Sequence, residues 1–171
     1  DYSKFNFAAL PTDEIRKVNE QTNCHKFFYT PLTPPTWMKQ NKAAFPDPST
    51  LWATNNILSP DMYDEFAEYL VAICKTIKEK SGVELYAMSL QNEPTFNEPY
   101  GSCQYTGAQF RDLIKVVGPR FKAENLNTRI ILSEDVASNN WVQNNVGPTI
   151  ADPVAKPYLG IVACHNYDPD G

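Results

Sequence analysis

Stretches in which apolar residues recur every three or four positions alternate along this chain with short, continuous apolar runs. A spacing of three or four is typical of an amphipathic helix, and a short apolar run is typical of a buried strand. The clearest helix follows Ser59 and Pro60 and ends at Gly82, and Ser59 is predicted to cap it. Its apolar face consists of Met62, Phe66, Tyr69, Leu70, Ile73 and Ile77.

Three further helices are predicted. Thr12 caps a helix that runs to about Asn23, and residues 140–146 form a short one. Thr106 and Gln109 have the spacing of a capping box, in which each side chain bonds the backbone N–H of the other residue. The apolar face of the helix that follows them consists of Phe110, Leu113, Ile114, Val117 and Phe121.

Four strands are predicted between these helices, at 26–30, 85–90, 129–133 and 160–165. Apolar strands that alternate with amphipathic helices form parallel sheets with right-handed crossovers, so the predicted fold class is α/β. A small doubly wound sheet and part of a (β/α)8 barrel both agree with this order, and the pattern alone does not choose between them. The segment 37–58 has neither period and is predicted to be a long loop that lines or covers a site.

The composition narrows the range of partners. With 171 residues and 42% apolar positions, the chain is long enough to bury a core without a metal or disulfide. Its formal net charge is -5 and its cations are scattered, so we expect no nucleic-acid partner. No apolar run reaches the roughly 18–20 residues of a spanning helix, so no membrane span is predicted.

The cysteines and histidines predict neither a cofactor nor a metal site. Cys74 and Cys164 lie in apolar stretches and are predicted to be buried thiols. Cys24 and Cys103 lie in polar sequence and could form a disulfide. No CxxC pair is present, and the two histidines are far apart in the sequence, which argues against the usual zinc motifs.

Polar side chains follow the predicted strands. The second strand is followed by Gln91-Asn92-Glu93-Pro94 and the third by Glu134-Asp135, and the fourth ends in His165-Asn166-Tyr167-Asp168. The carboxyl ends of parallel strands share one edge of the sheet, where function is expected to gather. A carboxylic acid, an amide, an imidazole and aromatic faces at one edge are suited to a sugar site.

Glu93 is the candidate catalytic residue at this edge. A Glu at the end of a buried strand can lose part of its hydration, which raises its pKa and makes it a useful proton donor near neutral pH. The alternative is a Glu in a turn that caps a helix or pairs with a surface Lys. The tripeptide Asn92-Glu93-Pro94 alone does not decide between the two, because a three-residue match is common by chance.

Longer motifs carry a resemblance to a known family. The run 85–94 (LYAMSLQNEP), with 33–39 (TPPTWMK) some fifty residues earlier, resembles glycoside hydrolase family 30, which includes glucosylceramidases, xylanases and β-1,6-glucanases. Further similar segments are YGSC at 100–103, VGPR at 117–120, LNT at 126–128 and VACHNY at 162–167. The resemblance implies that residues 1–171 are a segment of a single (β/α)8 catalytic domain, approximately strands three to six, without its first and last strands.

The same resemblance implies a retaining double-displacement mechanism on β-glycosidic bonds, without a cofactor. Glu93 is implied to be the general acid/base, and the nucleophilic Glu of the family lies on a later strand, beyond Gly171. Asn92 is implied to contact the sugar 2-hydroxyl, and Tyr167 to neighbour the nucleophile. The family further implies a carbohydrate substrate, such as a β-linked glucan, a xylan or a glycolipid, and a secreted or lysosomal location.

Other positions leave alternatives open. His165 matches the strand-end His-x-Tyr of the family and is either a substrate-site residue or a core histidine. Trp37 matches a motif position whose aromatic ring serves either as a sugar platform or in packing. Leu32 stands where many members have Trp, at a position implied to border the sugar at the innermost subsite, which weakens any inference of substrate from the best-studied members. Glu134 is interpreted as a supporting or subsite residue, and Asp168 as a solvated loop residue.

Two other classes of function remain open. The first is a non-catalytic half-barrel in which Asn92, Trp37 and Tyr167 hold sugar without cleaving it. The second is an unrelated, small doubly wound α/β domain with another ligand. No glycine-rich phosphate loop follows any predicted strand, which disfavours a nucleotide ligand and with it the second class.

Overall fold

The computed structural model of this protein describes residues 5–44, 55–136 and 140–167. Helices and strands alternate through these ranges, as the sequence predicts. The helices are α1 (Thr12–Gln21), α2 (Tyr63–Ser81), α3 (Gly107–Ala123) and α4 (Gly147–Ala151). The strands are β1 (Phe28–Tyr29), β2 (Ala87–Ser89), β3 (Arg129–Val136) and β4 (Leu159–His165).

The four strands form one parallel sheet in the order β1-β2-β3-β4. Each strand pairs with the next one along the chain. In a doubly wound sheet, by contrast, the order of the strands reverses at a switch point. Sequential order is the arrangement of a (β/α)8 barrel, in which every strand lies beside its successor. The strand order therefore favours part of a barrel over the doubly wound alternative.

The core lies between the sheet and the two long helices. The predicted apolar faces of α2 and α3 are buried and face β2 and β3. Fully buried side chains of this core include Phe66, Leu70, Ile73, Ile77, Met88, Phe110, Leu113, Ile114 and Val117. Six successive residues of β3 are buried, which is typical of a parallel strand covered on both faces.

The ends of the helices confirm some predicted caps and correct others. The capping box of Thr106 and Gln109 is present, and Gly82 ends α2 in the left-handed conformation, with φ of 76°. Ser59 and Thr12 are also predicted caps, but neither side chain caps a helix. Ser59 precedes a 3-10 turn at Pro60–Met62 that leads into α2, and Pro11 occupies the cap position of α1, so that Thr12 is already helical. The short helix predicted at 140–146 is a π-helical turn at Val142–Val146 that continues into α4.

The cysteines correct two further predictions. All four are free thiols. Cys103 is fully buried while Cys24 is exposed, so the two do not form the disulfide that the polar sequence around them allowed. Cys74 is buried as predicted, but Cys164 is exposed. Cys164 belongs to β4, in which exposure alternates along the strand, and no strand of the described residues pairs with its outer edge.

The described parts of the loop at 37–58 are held by a buried lysine; residues 45–54 lie outside the described ranges. The Lys39 side chain has no solvent exposure, and burial lowers its pKa. Its ammonium donates hydrogen bonds to Ser102 O (2.7 Å), Thr33 Oγ1 (3.2 Å) and Ala44 O (3.3 Å). Because Ser102 lies in the segment between β2 and α3, this lysine ties the loop after β1 to the loop after β2.

Replacing Thr106 with Ala tests the capping box. The change removes the hydroxyl that accepts the Gln109 N–H at 3.2 Å, and it should lower the free energy of unfolding by about 1 kcal/mol. Thr12→Ala is the matched control, because the Thr12 side chain makes no cap hydrogen bond, and it should stay within about 0.5 kcal/mol. Urea unfolding followed by circular dichroism measures both. Equal losses in the two variants would contradict the assignment of Thr106 as a cap.

Candidate active site

The carboxyl ends of all four strands contribute to one hydrogen-bonded cluster. Thr30 directly follows β1, Glu93 lies four residues after β2, Glu134 lies near the end of β3, and His165 is the last residue of β4. These residues are far apart in the sequence and meet because the parallel sheet brings its strand ends to one edge. The sequence prediction of a polar site at this edge is confirmed.

The backbone holds Glu93 in a conformation that non-glycine residues adopt rarely. Its φ is 40°, and its N–H donates a hydrogen bond of 2.9 Å to Glu134 O. Glu134 itself has a φ of 51° and lies where the register between β3 and β4 shifts. A left-handed conformation at a residue with a long side chain costs of order 1 kcal/mol and is found most often at functional sites. Glu93 and Glu134 lie at the ends of adjacent strands, and strained backbone orients both side chains.

The Glu93 carboxyl accepts hydrogen bonds from two residues at the end of β4. Tyr167 Oη donates to Glu93 Oε1 at 2.7 Å, and His165 Nδ1 donates to the same oxygen at 2.8 Å. Glu93 is 5% exposed, whereas Tyr167 is 71% exposed with its hydroxyl turned to the carboxyl. The structure thus brings together three of the residues predicted for the site: Glu93, His165 and Tyr167.

His165 lies between two carboxyl groups. Its Nε2 is 3.7 Å from Glu134 Oε1, and the Glu134 carboxyl also accepts the Thr30 hydroxyl, at 2.9 Å from each oxygen. Burial lowers the pKa of His165, but the hydrogen bond to Glu93 and the negative charges of Glu134 and Glu93 outweigh it, so the pKa is raised. His165 is therefore not an isolated core histidine, because each of its ring nitrogens faces a carboxyl group.

The expected rise in the pKa of Glu93 is wrong. Burial does raise this pKa, but the hydrogen bonds from His165 and Tyr167, the neighbouring Glu98 and the charge of His165 outweigh burial. The net effect lowers the pKa of Glu93. Sequence reasoning considered the loss of hydration and missed the donors His165 and Tyr167, which lie more than 70 residues further along the chain.

Asn92 is joined to the cluster through Glu98, a residue that the sequence prediction missed. Asn92 Nδ2 donates to Glu98 Oε1 at 2.8 Å, and Tyr100 Oη donates to the same oxygen at 3.1 Å. The Glu98 side chain has no solvent exposure. Burial and the neighbouring Glu93 carboxyl raise the pKa of Glu98 to about 7. The sequence feature that could have pointed to Glu98 is a second Asn-Glu-Pro, at 97–99, five residues after the first.

The remaining predicted positions lie around this cluster. Trp37 is in a 3-10 turn at Thr36–Met38 with half of its surface exposed, and no hydrogen bond or ring contact joins it to Glu93 within the described ranges. Leu32 is likewise half exposed, and its carbonyl accepts Gln91 Nε2 at 2.7 Å. Asp168 lies outside the described residues. Between residues 5 and 167, the described parts contain no group of three His, Cys, Asp or Glu side chains that could hold a metal ion.

A comparison with known families shows to which family the chain belongs. The family model of O-glycosyl hydrolase family 30 matches residues 15–162, which is most of the chain. The chain belongs to glycoside hydrolase family 30. The resemblance seen in the motifs around Glu93 and Trp37 is thereby confirmed, and both positions lie inside the matched range.

Solved structures of family 30 enzymes have the same fold. The family 30 subfamily 8 xylanase Xyn30A from Clostridium acetobutylicum aligns with a TM-score of 0.79 at 29% identity, over 97% of this chain and 40% of that one. An endo-β1,6-glucanase aligns with a TM-score of 0.76 at 27% identity, over 92% of this chain and 35% of that one. Together with the sequential strand order, these likenesses confirm the prediction of a partial (β/α)8 barrel.

Two sequences from other organisms are also similar. The putative glucosylceramidase 2 of Caenorhabditis elegans is 29% identical over 156 residues, which cover 85% of this chain and 28% of that protein. The glucuronoxylanase XynC of Bacillus subtilis is 29% identical over 107 residues, or 63% of this chain and 23% of that protein. This family 30 chain therefore spans less than a third of the length of either relative.

Within the ranges that the structure describes, no helix has both the length and the apolar character needed to cross a membrane.

Replacing Glu134 with Gln should lower the pKa of His165. The change removes one of the two negative charges that stabilise the imidazolium, while the Thr30 hydroxyl retains an acceptor. Proton–carbon NMR of the imidazole Cε1–H measures the titration. The chain has two histidines, and the separate Cε1–H signal of exposed His25, bonded to Asn19 at 2.8 Å, is the internal reference. An unchanged His165 curve would mean that Glu134 does not act on the imidazole.

Proposed function

We propose that this chain contributes the acid/base part of a retaining β-glycoside hydrolase. The observation that carries the proposal is the Glu93 carboxyl, aimed by a left-handed backbone and fixed by hydrogen bonds from Tyr167 (2.7 Å) and His165 (2.8 Å). Glu93 follows the second of four parallel strands, at the edge where barrel enzymes bind their substrates. Family 30 membership supports hydrolysis of O-glycosidic bonds as the reaction.

In the proposed first step, the Glu93 carboxyl protonates the glycosidic oxygen while a second carboxylate attacks the anomeric carbon. The second carboxylate is the nucleophile, and it is proposed to come from a Glu outside this chain. In the second step, Glu93 removes a proton from a water molecule that displaces the sugar from the enzyme. Retaining enzymes hold the two carboxyl groups about 5–5.5 Å apart, so the proposed nucleophile lies at about that distance from the Glu93 carboxyl.

The chain is proposed to be a segment of one barrel catalytic domain, approximately strands three to six. A complete (β/α)8 barrel has about 250 residues, and this chain spans 40% of the family 30 xylanase that it resembles. The outer strands support the proposal. Phe28 of β1 is 65% exposed and Val162 of β4 is 43% exposed, and both are apolar residues that neighbouring strands or helices of a complete barrel would cover.

Several residues are proposed to bind the sugar. Asn92, held through Glu98 beside Glu93, contacts the 2-hydroxyl, and Trp37 offers a half-exposed ring as a platform. His165 and Tyr167 orient the Glu93 carboxyl at the cleavage point. The relatives are named for a glycolipid, a glucuronoxylan and a β1,6-glucan, so the substrate class proposed here is a β-linked polysaccharide or glycoconjugate. A secreted or lysosomal location follows from the family resemblance and is proposed with it.

Replacing Glu93 with Gln in the full-length protein tests the acid/base role. With an aryl β-glycoside that has a poor leaving group, kcat/KM should fall by about 100-fold or more, because the leaving oxygen must be protonated. With an activated leaving group, the loss in kcat/KM should be much smaller. Glu65→Gln, the same chemical change at an exposed position of α2, is the control and should keep the parent rates on both substrates. Equal small losses on both substrates would overturn the role of Glu93.

Proton NMR of the first product tests retention. A double displacement inverts the anomeric carbon twice, so a β-glycoside should release the β-anomer first, and the α-anomer should appear later by mutarotation. Spectra recorded within the first minutes of hydrolysis separate the two anomeric protons. Initial release of the α-anomer would show a single displacement and would exclude the retaining mechanism while leaving glycoside hydrolysis in place.

A further inference from the structure

The proposed role of Glu93 raises a physical difficulty. A general acid works best when it holds a proton near the working pH, which requires a raised pKa. The Glu93 carboxyl accepts hydrogen bonds from His165 and Tyr167, and both favour its ionised form. The result is a lowered pKa, so the proton needed by the leaving group is not held well by Glu93 alone.

The neighbouring Glu98 carboxyl has the opposite environment. It has no solvent exposure, and among the described residues no Lys, Arg or His forms an ion pair with it. Its Oε1 accepts Asn92 Nδ2 at 2.8 Å and Tyr100 Oη at 3.1 Å, while its Oε2 is buried and receives no donor from the described part of the chain. A buried carboxylate without a cation is strongly disfavoured, and protonation removes the charge.

The buried Oε2 of Glu98 has no donor among the described residues, and the Glu93 carboxyl is an acidic neighbour of Glu98. The two carboxyl groups of Glu98 and Glu93 are within hydrogen-bonding reach of each other. Two carboxylates cannot bond to each other, because both are acceptors. A proton on one of them turns the contact into a hydrogen bond, as in a pair of carboxyl groups that share a single proton.

We propose that Glu98 is the proton-holding partner of Glu93: its buried carboxyl shares one proton with Glu93 and supplies it when Glu93 protonates the leaving oxygen. This inference rests on the proposed acid/base role of Glu93. Glu98 does not touch the substrate in this scheme, so it is a positioning residue that acts through Glu93. Nothing in the resemblance to family 30 implied a role for this position.

The proton is conserved through the two steps. In the first, the glycosidic C–O bond breaks with its electron pair on the leaving oxygen, and the shared proton passes through Glu93 to that oxygen. Both carboxyl groups of the pair are then ionised. In the second, water attacks the anomeric carbon and gives its proton to Glu93, so the pair again holds one proton. Repulsion between the two ionised carboxylates makes Glu93 a stronger base when it must take the proton from water.

The net effect of the described groups around the pair favours an ionised Glu93 and a protonated Glu98. On the Glu93 side, His165 and Tyr167 stabilise negative charge, and Glu134 acts on the pair only through His165. On the Glu98 side, burial and Glu93 raise the pKa to about 7, while the hydrogen bonds from Tyr100 and Asn92 oppose that rise. The proton is therefore held mainly by Glu98 and is lost from the pair near neutral pH.

A purely structural role of Glu98 makes a different prediction. If Glu98 only holds Asn92, its replacement should lower activity by the same factor at every pH. Gln at this position retains the shape and an oxygen acceptor for Asn92 and Tyr100, but carries no titratable proton. Glu98→Gln therefore separates holding Asn92 from holding the proton.

The test is the pH dependence of kcat/KM of Glu98→Gln in the full-length protein, with a substrate that has a poor leaving group. The basic limb should move to lower pH, because Glu93 must then hold the proton alone in the presence of its donors. At about pH 8, kcat/KM should fall about tenfold for each pH unit by which the limb moves, and at about pH 5 the loss should be small. Tyr100→Phe is the matched control. It removes a hydrogen bond that lowers the pKa of Glu98 and leaves the carboxyl pair intact, so its basic limb should stay or move to higher pH.

Carboxyl carbon NMR of Glu labelled with carbon-13 at Cδ gives a readout independent of activity. The parent should show a carboxyl that titrates near neutral pH, and this signal should be lost in Glu98→Gln. An unshifted basic limb in Glu98→Gln, with Glu93→Gln still showing its dependence on the leaving group, would overturn the role of Glu98 alone. If Glu93→Gln shows no such dependence, the proposed function fails, and the NMR titration still decides whether the two carboxyl groups share a proton.

Discussion

The hydrogen bond between His165 Nδ1 and the Glu93 carboxyl is the interaction on which the site depends. It joins the residue that ends β4 to the loop that follows β2, across the end of β3, and so fixes these strands relative to one another at their functional edge. Glu134 adds to the same linkage through its carbonyl, which receives the Glu93 N–H, and through its carboxyl beside the imidazole. The orientation of Glu93 is thus determined by the whole sheet, and its own loop contributes only part of it.

Neighbouring ionisable groups at this edge favour different charge states. Glu134 and Glu93 flank His165 and favour its cation, and that cation in turn favours the Glu93 anion. Glu98 forms no ion pair with a described cation and favours the neutral acid. Adjacent carboxyl groups in such different environments can divide the work of holding and delivering a proton, as pairs of titratable groups do in many hydrolases. The position of each group relative to His165 thus affects which protonation state it favours.

Local pattern was enough to predict α1, α2 and α3, the four strands and the edge of the sheet at which polar side chains gather. The apolar faces of α2 and α3 and the strand-end positions of Glu93 and His165 depend on sequence periodicity, which survives in the folded protein. The lowered pKa of Glu93 and the buried Glu98 could not be predicted in this way, because both depend on side chains that approach only after folding. Cys164 illustrates the same limit: an apolar run predicts burial, but exposure on β4 depends on which strands lie beside it.

The buried ammonium of Lys39 has a consequence for how this protein can change during evolution. Its three acceptors belong to Thr33, Ala44 and Ser102, so one set of buried hydrogen bonds joins the loops after β1 and β2. A substitution or insertion that moves either loop leaves a buried charge without its acceptors, unless the other loop moves with it. The two loops are therefore expected to vary together, and natural differences in this region should arise as correlated changes on both sides of Lys39.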